Sequence, residues 1–207
     1  MHADSSPMPT DPIRLAPSVL HVVAIWVSRI ASPLVLGMLA VGVVTSASSP
    51  APHAWGWAAT YLAIVVGTPV LYTLALYSRG AVNDLDLTAR HERFRPYLVT
   101  VIALIGAALL LHLGGAPRLL TLLADVSAIE LAVLFAITLV WKISAHAAMA
   151  AMLAMLATHL HATLAPMGIA LVLVVCWSRV YLERHDVAQT VAGAAVGAGV
   201  MVAALGW

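Results

Sequence analysis

Three short segments of this 207-residue chain gather the side chains that could do chemistry. The first, RGAVNDLDLTARHERFRPY (residues 79–97), brings Arg90 and Arg95. The second, WKISAH (141–146), brings Lys142, Ser144 and His146, and the third, SRVYLERH (178–185), brings Ser178, Arg179 and His185, with Gln189 following. Guanidinium and ammonium groups fix an oxyanion through bidentate and point-charge contacts, which strengthen as its oxygens gain charge. Ser144 reads as the start of a helix, where its hydroxyl and the free N–H groups behind it form an anion site. Two imidazoles can then divide covalent phosphoryl chemistry. His185 is the nucleophile candidate and His146 the acid that protonates the leaving alkoxide, then the base for water. Gln189 stands at i+4 from His185 on one helical face, where its carbonyl oxygen can hold the second ring N–H and so select the tautomer. No metal and no cofactor is needed for this scheme. Asp186, at i+1, points elsewhere and suits a helix N-terminus instead.

Such residues act together only if the chain brings the segments to one place. The composition says how. Apolar residues make up 62% of the sequence and charged ones 9%, with a mean hydropathy of +0.99, too little polar surface for a water-soluble globule. A bilayer span needs about 20 apolar residues, so an all-α polytopic bundle of six or seven spans is expected. The runs are 30–47, 57–77, 97–116, 119–141, 144–164, 166–181 and 187–207, the fourth being re-entrant if there are six. An interfacial helix or a helical extension over 15–29 precedes the first. Residues 1–14 read as a disordered polar tail without signal-peptide character, and 15–207 as a single transmembrane domain. Cys176 lies in an apolar run, has no disulfide partner, and reads as a small hydrophobe. Gly193 and Gly197 in the last run make a small-residue face that suits close helix packing.

Crossing parity puts all three segments at one membrane face. Arg79, Arg90, Arg93, Arg95, Lys142, Arg179 and Arg184 lie there, with Arg14 and Arg29, and Arg118 stands alone opposite. The positive-inside rule makes that face cytoplasmic, in the cell inner membrane. A net charge of +1 gives no reason to expect nucleic acid as a partner. His112, His159 and His161 lack surrounding motifs and read as structural, and Asp125 and Glu130 as interfacial or paired with Arg118 or His112.

In these three segments the chain resembles the type-2 phosphatidic acid phosphatase superfamily. That family carries a Lys and an Arg-Pro in its first segment, Pro-Ser-Gly-His in its second, and Ser-Arg with His six residues after the Arg in its third. Ser178, Arg179 and His185 match the third segment, Ser144 and His146 the second, and Arg95-Pro96 the first. The chain departs at Thr88 where the Lys would stand, at Ile143 and Ala145 around Ser144, and at Gln189, where an Asp is usual and branches acting on polyprenyl phosphates carry Gln. The resemblance implies a metal-independent membrane phosphatase acting on a lipid or polyprenyl phosphate, or a diphosphate, through a phosphohistidine. His185 and His146 would be catalytic with Gln189 in support, and Arg179, Ser144, Arg95, Lys142, Ser178 and Arg90 would bind phosphate. Two alternatives stand beside it. Asn83, Asp84 and Asp86 resemble the start of a Mg²⁺-binding motif of membrane prenyltransferases, and the departures suit a non-catalytic lipid-phosphate-binding protein. The identity of the lipid and the oligomeric state stay open.

Overall fold

The structure, a computed structural model, describes residues 18–48, 53–81 and 90–206, with residues 90–93 as backbone only. Its elements are α1 (Val19–Ile30), α2 (Pro33–Ala47), α3 (Ala54–Ser78), α4 (Arg90–Leu113), α5 (Arg118–Val140), α6 (Ala145–Leu160), α7 (Ala165–Tyr181) and α8 (Val187–Leu205), with one 3₁₀ turn at Ala162–Leu164. The expected all-α polytopic bundle is what forms. The expected tail, Thr88 and the Asn83–Asp86 motif lie outside the described residues.

Among the described residues, five helical stretches are long and apolar enough to cross a bilayer, or six, the lower of the two expected numbers, if the bent pair α1/α2 counts as one span. The irregularity lies elsewhere than expected. The fourth run, suspected of being re-entrant, is the 23-residue helix α5. The short element is α6, whose 16 residues rise only about 24 Å. Its polar and extended ends, Ser144 and His161, stop it on both sides.

The first run is broken by chemistry written at residues 32 and 33. Pro33 disfavours a helical conformation at Ser32, and the Ser32 side chain accepts from the Val35 N–H to cap a new helix. The axes of α1 and α2 therefore differ by 50°. Both ends of α1 touch the last turn of α7: Ser18 Oγ lies 3.3 Å from the Tyr181 hydroxyl, and Arg179 Nη1 donates to Ser28 Oγ at 2.6 Å. So α1 lies across the end of α7 rather than prolonging α2, in keeping with an interfacial helix.

The interior is organised around α6, which packs on α2, α7 and α8. Five of its alanines are buried, together with Met152, Leu153 and Leu156. Apolar surface gains nothing by leaving lipid for protein, so close approach of small side chains carries the association. Gly193 and Gly197 of α8 let that helix sit directly on the backbone of α6. A methyl group at either would collide with the carbonyl oxygen of Ser144 or of Ala148.

Candidate active site

The turn between α7 and α8 builds the third segment. Arg184 N–H donates to the Arg179 carbonyl at 3.0 Å and Glu183 N–H to that of Val180 at 2.9 Å, the paired bonds of a Schellman ending. Glu183 occupies the left-handed position with φ 54°, where glycine is usual. The His185 N–H donates to the same Arg179 carbonyl at 3.2 Å, so the backbone of the imidazole is tied to that of the guanidinium. Asp186 then caps α8, its Oδ1 accepting from Gln189 N–H at 2.8 Å. One helical turn on, Gln189 Oε1 accepts from His185 Nδ1 at 3.0 Å. That bond leaves Nε2 of His185 as the ring nitrogen with a free lone pair.

The second segment joins the third through the backbone. Trp141 is extended, and Ser144 N–H donates to the Gln189 carbonyl at 3.2 Å. Ser144 caps α6, its hydroxyl oxygen accepting from Ala147 N–H at 3.3 Å. This places His146 in the first turn of α6, where its ring lies near the backbone of Ser28 and within charge-interaction range of both Arg179 and His185. Ser28 thus stands beside two site residues at once, its backbone near the imidazole and its hydroxyl bonded to the guanidinium. Sequence reasoning passed over it. The available signal was modest: Ser28 is the one hydroxyl residue inside α1, beside Arg29.

The electrostatics favour an anion. Lys142 and Arg179 both act on His185, and Arg184 acts on Arg179, so three cations converge on the turn. Among the described residues none of the three has a carboxylate within ion-pair distance, and His112 Nε2 pairs with Asp125 at 2.9 Å at the other end of the bundle. Arg179 Nε is buried without a hydrogen-bond partner. Burial holds the His185 imidazole below its ordinary value of 6.5; Arg179 and Lys142 act in the same sense, against Gln189 and Asp186. A neutral ring at neutral pH follows, with its proton on Nδ1.

The remaining expected residues are placed less uniformly. Ser144 and Ser178 are fully buried and form the floor under the site instead of lining it, and Ser178 Oγ has no partner. Arg95 is exposed, on a stretch of α4 fixed by Phe94 and Tyr97 against Phe135 of α5, with ring centroids 5.3 and 6.3 Å apart. That contact sets Arg95 on the same face as Lys142, but no hydrogen bond or ion pair joins it to the other site residues among those described. The side chain of Arg90 lies outside the described residues. Glu130, expected near an interface or paired, is instead 2% exposed in mid-helix with neither carboxyl oxygen partnered. No family model matches this chain, and no curated protein or solved structure matches it either.

Loss of the bridging hydroxyl should be visible. Ser28→Ala removes the bond to Arg179 Nη1, and a hydrogen bond to a charged group contributes about 1.5–3 kcal/mol. If Arg179 holds the phosphate, KM for a phosphate ester should rise about tenfold with kcat little changed. An unaltered KM would show that Arg179 is held without Ser28.

Proposed function

We propose that this chain is an integral membrane phosphatase that releases phosphate from a lipid phosphate through a phosphohistidine, with its site on the cytoplasmic face of the inner membrane. One observation carries the reading. His185 presents a free Nε2 because Gln189 occupies Nδ1, while Arg179 stands in range of both His185 and His146.

The steps follow from that arrangement. Arg179 and Lys142, with Arg95 at the same face, hold the phosphate oxygens and offset their charge in the transition state. The Nε2 lone pair of His185 forms the N–P bond in line as the P–O bond to the lipid breaks, its electron pair leaving on the alkoxide. His146, protonated when the phosphate anion enters beside it, gives that oxygen its proton and, now neutral, becomes the base for water. Water then forms the new P–O bond as its proton passes to His146, and the N–P electron pair returns to His185. Gln189 keeps the nucleophile in one tautomer and orientation, a positioning role.

Phosphate release from a long-chain lipid phosphate in excess chelator is the direct test, and its pH dependence gives the sign. The nucleophile is the neutral ring, and its value in the fold is lowered, so activity persists below the ordinary histidine range and is lost as pH falls through the lowered value. The acid limb of kcat/KM should therefore lie below 6.5. Gln189→Leu removes an interaction that favours the charged ring, so the limb should move further down while kcat falls. Mg²⁺-dependent release of diphosphate instead would favour the prenyltransferase, and no release from any lipid phosphate would remove the phosphatase.

A further inference from the structure

A cavity of about 310 Å³ lies between α2, α3, α4, α5 and α6, half open to the side where Leu34, Met38 and Val70 are exposed. Its upper end is walled by Pro33, Leu134 and Ala145, the last lying between the site residues Ser144 and His146. Leu134 packs with Ile143 and Ala148 and so marks the level of the first turn of α6. From Leu134 the cavity follows α5 down to Leu123, about 16 Å at 1.5 Å per residue. It is an apolar channel that begins beside the phosphate site and descends into the membrane.

Among the described polar side chains on its wall, one has buried atoms without a hydrogen-bond partner. Thr100 donates to the Pro96 carbonyl at 2.8 Å, and Tyr61 lies beside Ser127. Glu130 is the exception: both carboxyl oxygens are buried with no partner, on a residue that lines the cavity. A carboxylate without a counter-ion is very costly in such surroundings, whereas the neutral acid is a hydrogen-bond donor that lacks an acceptor. Glu130 lies one helical turn below Leu134, about 6 Å along α5. An acceptor at that depth belongs to the part of a bound lipid nearest its headgroup.

We propose that this cavity seats the hydrocarbon chain of the lipid phosphate and that the Glu130 carboxyl donates to an ester carbonyl on that chain, so that Glu130 sets a preference for ester-linked lipid phosphates over chains without an acceptor. This rests on the phosphatase reading for the position of the phosphate. Gly37 offers a way to fill the cavity, since it lines the wall and an added Cβ there meets nothing within 4 Å.

The test compares an ester-linked long-chain lipid phosphate, its ether-linked analogue and a water-soluble aryl phosphate, using wild type, Glu130→Gln, Glu130→Leu and Gly37→Leu in detergent. Wild type and Glu130→Gln, which keeps a donor, should favour the ester over the ether by about tenfold in kcat/KM. Glu130→Leu should erase that ratio while remaining folded, because an unpaired buried polar group is lost. Gly37→Leu should lower kcat/KM about tenfold for both long-chain lipids and leave the aryl phosphate unchanged. An ester-to-ether ratio that survives Glu130→Leu, or a Gly37→Leu variant that treats all three substrates as wild type does, overturns the proposal. The same lipids read as ligand-induced shifts in unfolding temperature need no turnover. An ester-selective shift lost in Glu130→Leu without any phosphate release sinks the phosphatase alone, and phosphate release with no ester selectivity in rate or shift sinks the chain-binding proposal alone.

Discussion

His185→Ala is expected to reduce phosphate release by on the order of 10³-fold or more, because the variant lacks the nitrogen to which phosphorus would bond and no other imidazole occupies its place. The fold should be spared. His185 is only half-buried, and its side chain has one hydrogen bond, to Gln189, whose backbone remains anchored to Asp186 and to Ser144. The unfolding temperature in detergent should stay close to that of wild type. His146→Ala separates the two imidazoles. Loss of a general acid and base costs about 10²–10⁴-fold, and if hydrolysis of the intermediate slows more than its formation, a phosphoryl group that is labile to acid and stable to alkali accumulates on the protein. Labelled phosphate retained by His146→Ala and absent from the double variant with His185→Ala would locate the bond. Wild-type turnover in His185→Ala would end the assignment.

That experiment depends on a site whose parts were unequally legible. The link from His185 to Gln189 and the caps at Ser144 and Asp186 follow from local rules, i to i+4 on a helix and i to i+3 at its start, so adjacent residues suffice to infer them. Convergence of the 141–146 and 178–185 segments was expected from parity with residues 144–164 counted as a crossing; α6 falls short of that length, and the segments meet because α8 packs on α6 and Ser144 N–H bonds the Gln189 carbonyl. What escaped was set by packing. The helices are apolar on nearly every side, so polarity does not mark which side is buried; residue size does, through the alanines of α6 and the glycines of α8. For that reason the shortness of α6 and the lone carboxyl of Glu130 could not be read from periodicity. Ser28 escaped because its partners are over a hundred residues distant, across the end of α7. The bend that brings it there was signalled by Ser32 and Pro33 inside the stretch from α1 to α2, but not the direction in which α1 would turn.

Size as the organising variable has its own consequence at α8. Gly197→Ala should destabilise the protein by about 1–3 kcal/mol, because the added methyl meets the backbone of α6 at the Ala148 carbonyl and no flexible side chain can move aside. Gly193→Ala presses on the Ser144 carbonyl instead, next to the N–H that Ser144 donates to Gln189. Its penalty should therefore appear in turnover as well as in stability, since displacing Ser144 shifts His146 relative to His185. Gly199 is the control on the same helix, with nothing within 4 Å of an added methyl. Gly199→Ala should be neutral or stabilising by up to about 1 kcal/mol through helix propensity alone. Thermal unfolding of the three variants in one detergent gives the ordering, with Gly199→Ala at or above wild type and the other two below it. A Gly197→Ala protein that melts with wild type would mean that α6 and α8 do not pack backbone to backbone, and the geometry that brings Ser144 to Gln189 would go with it.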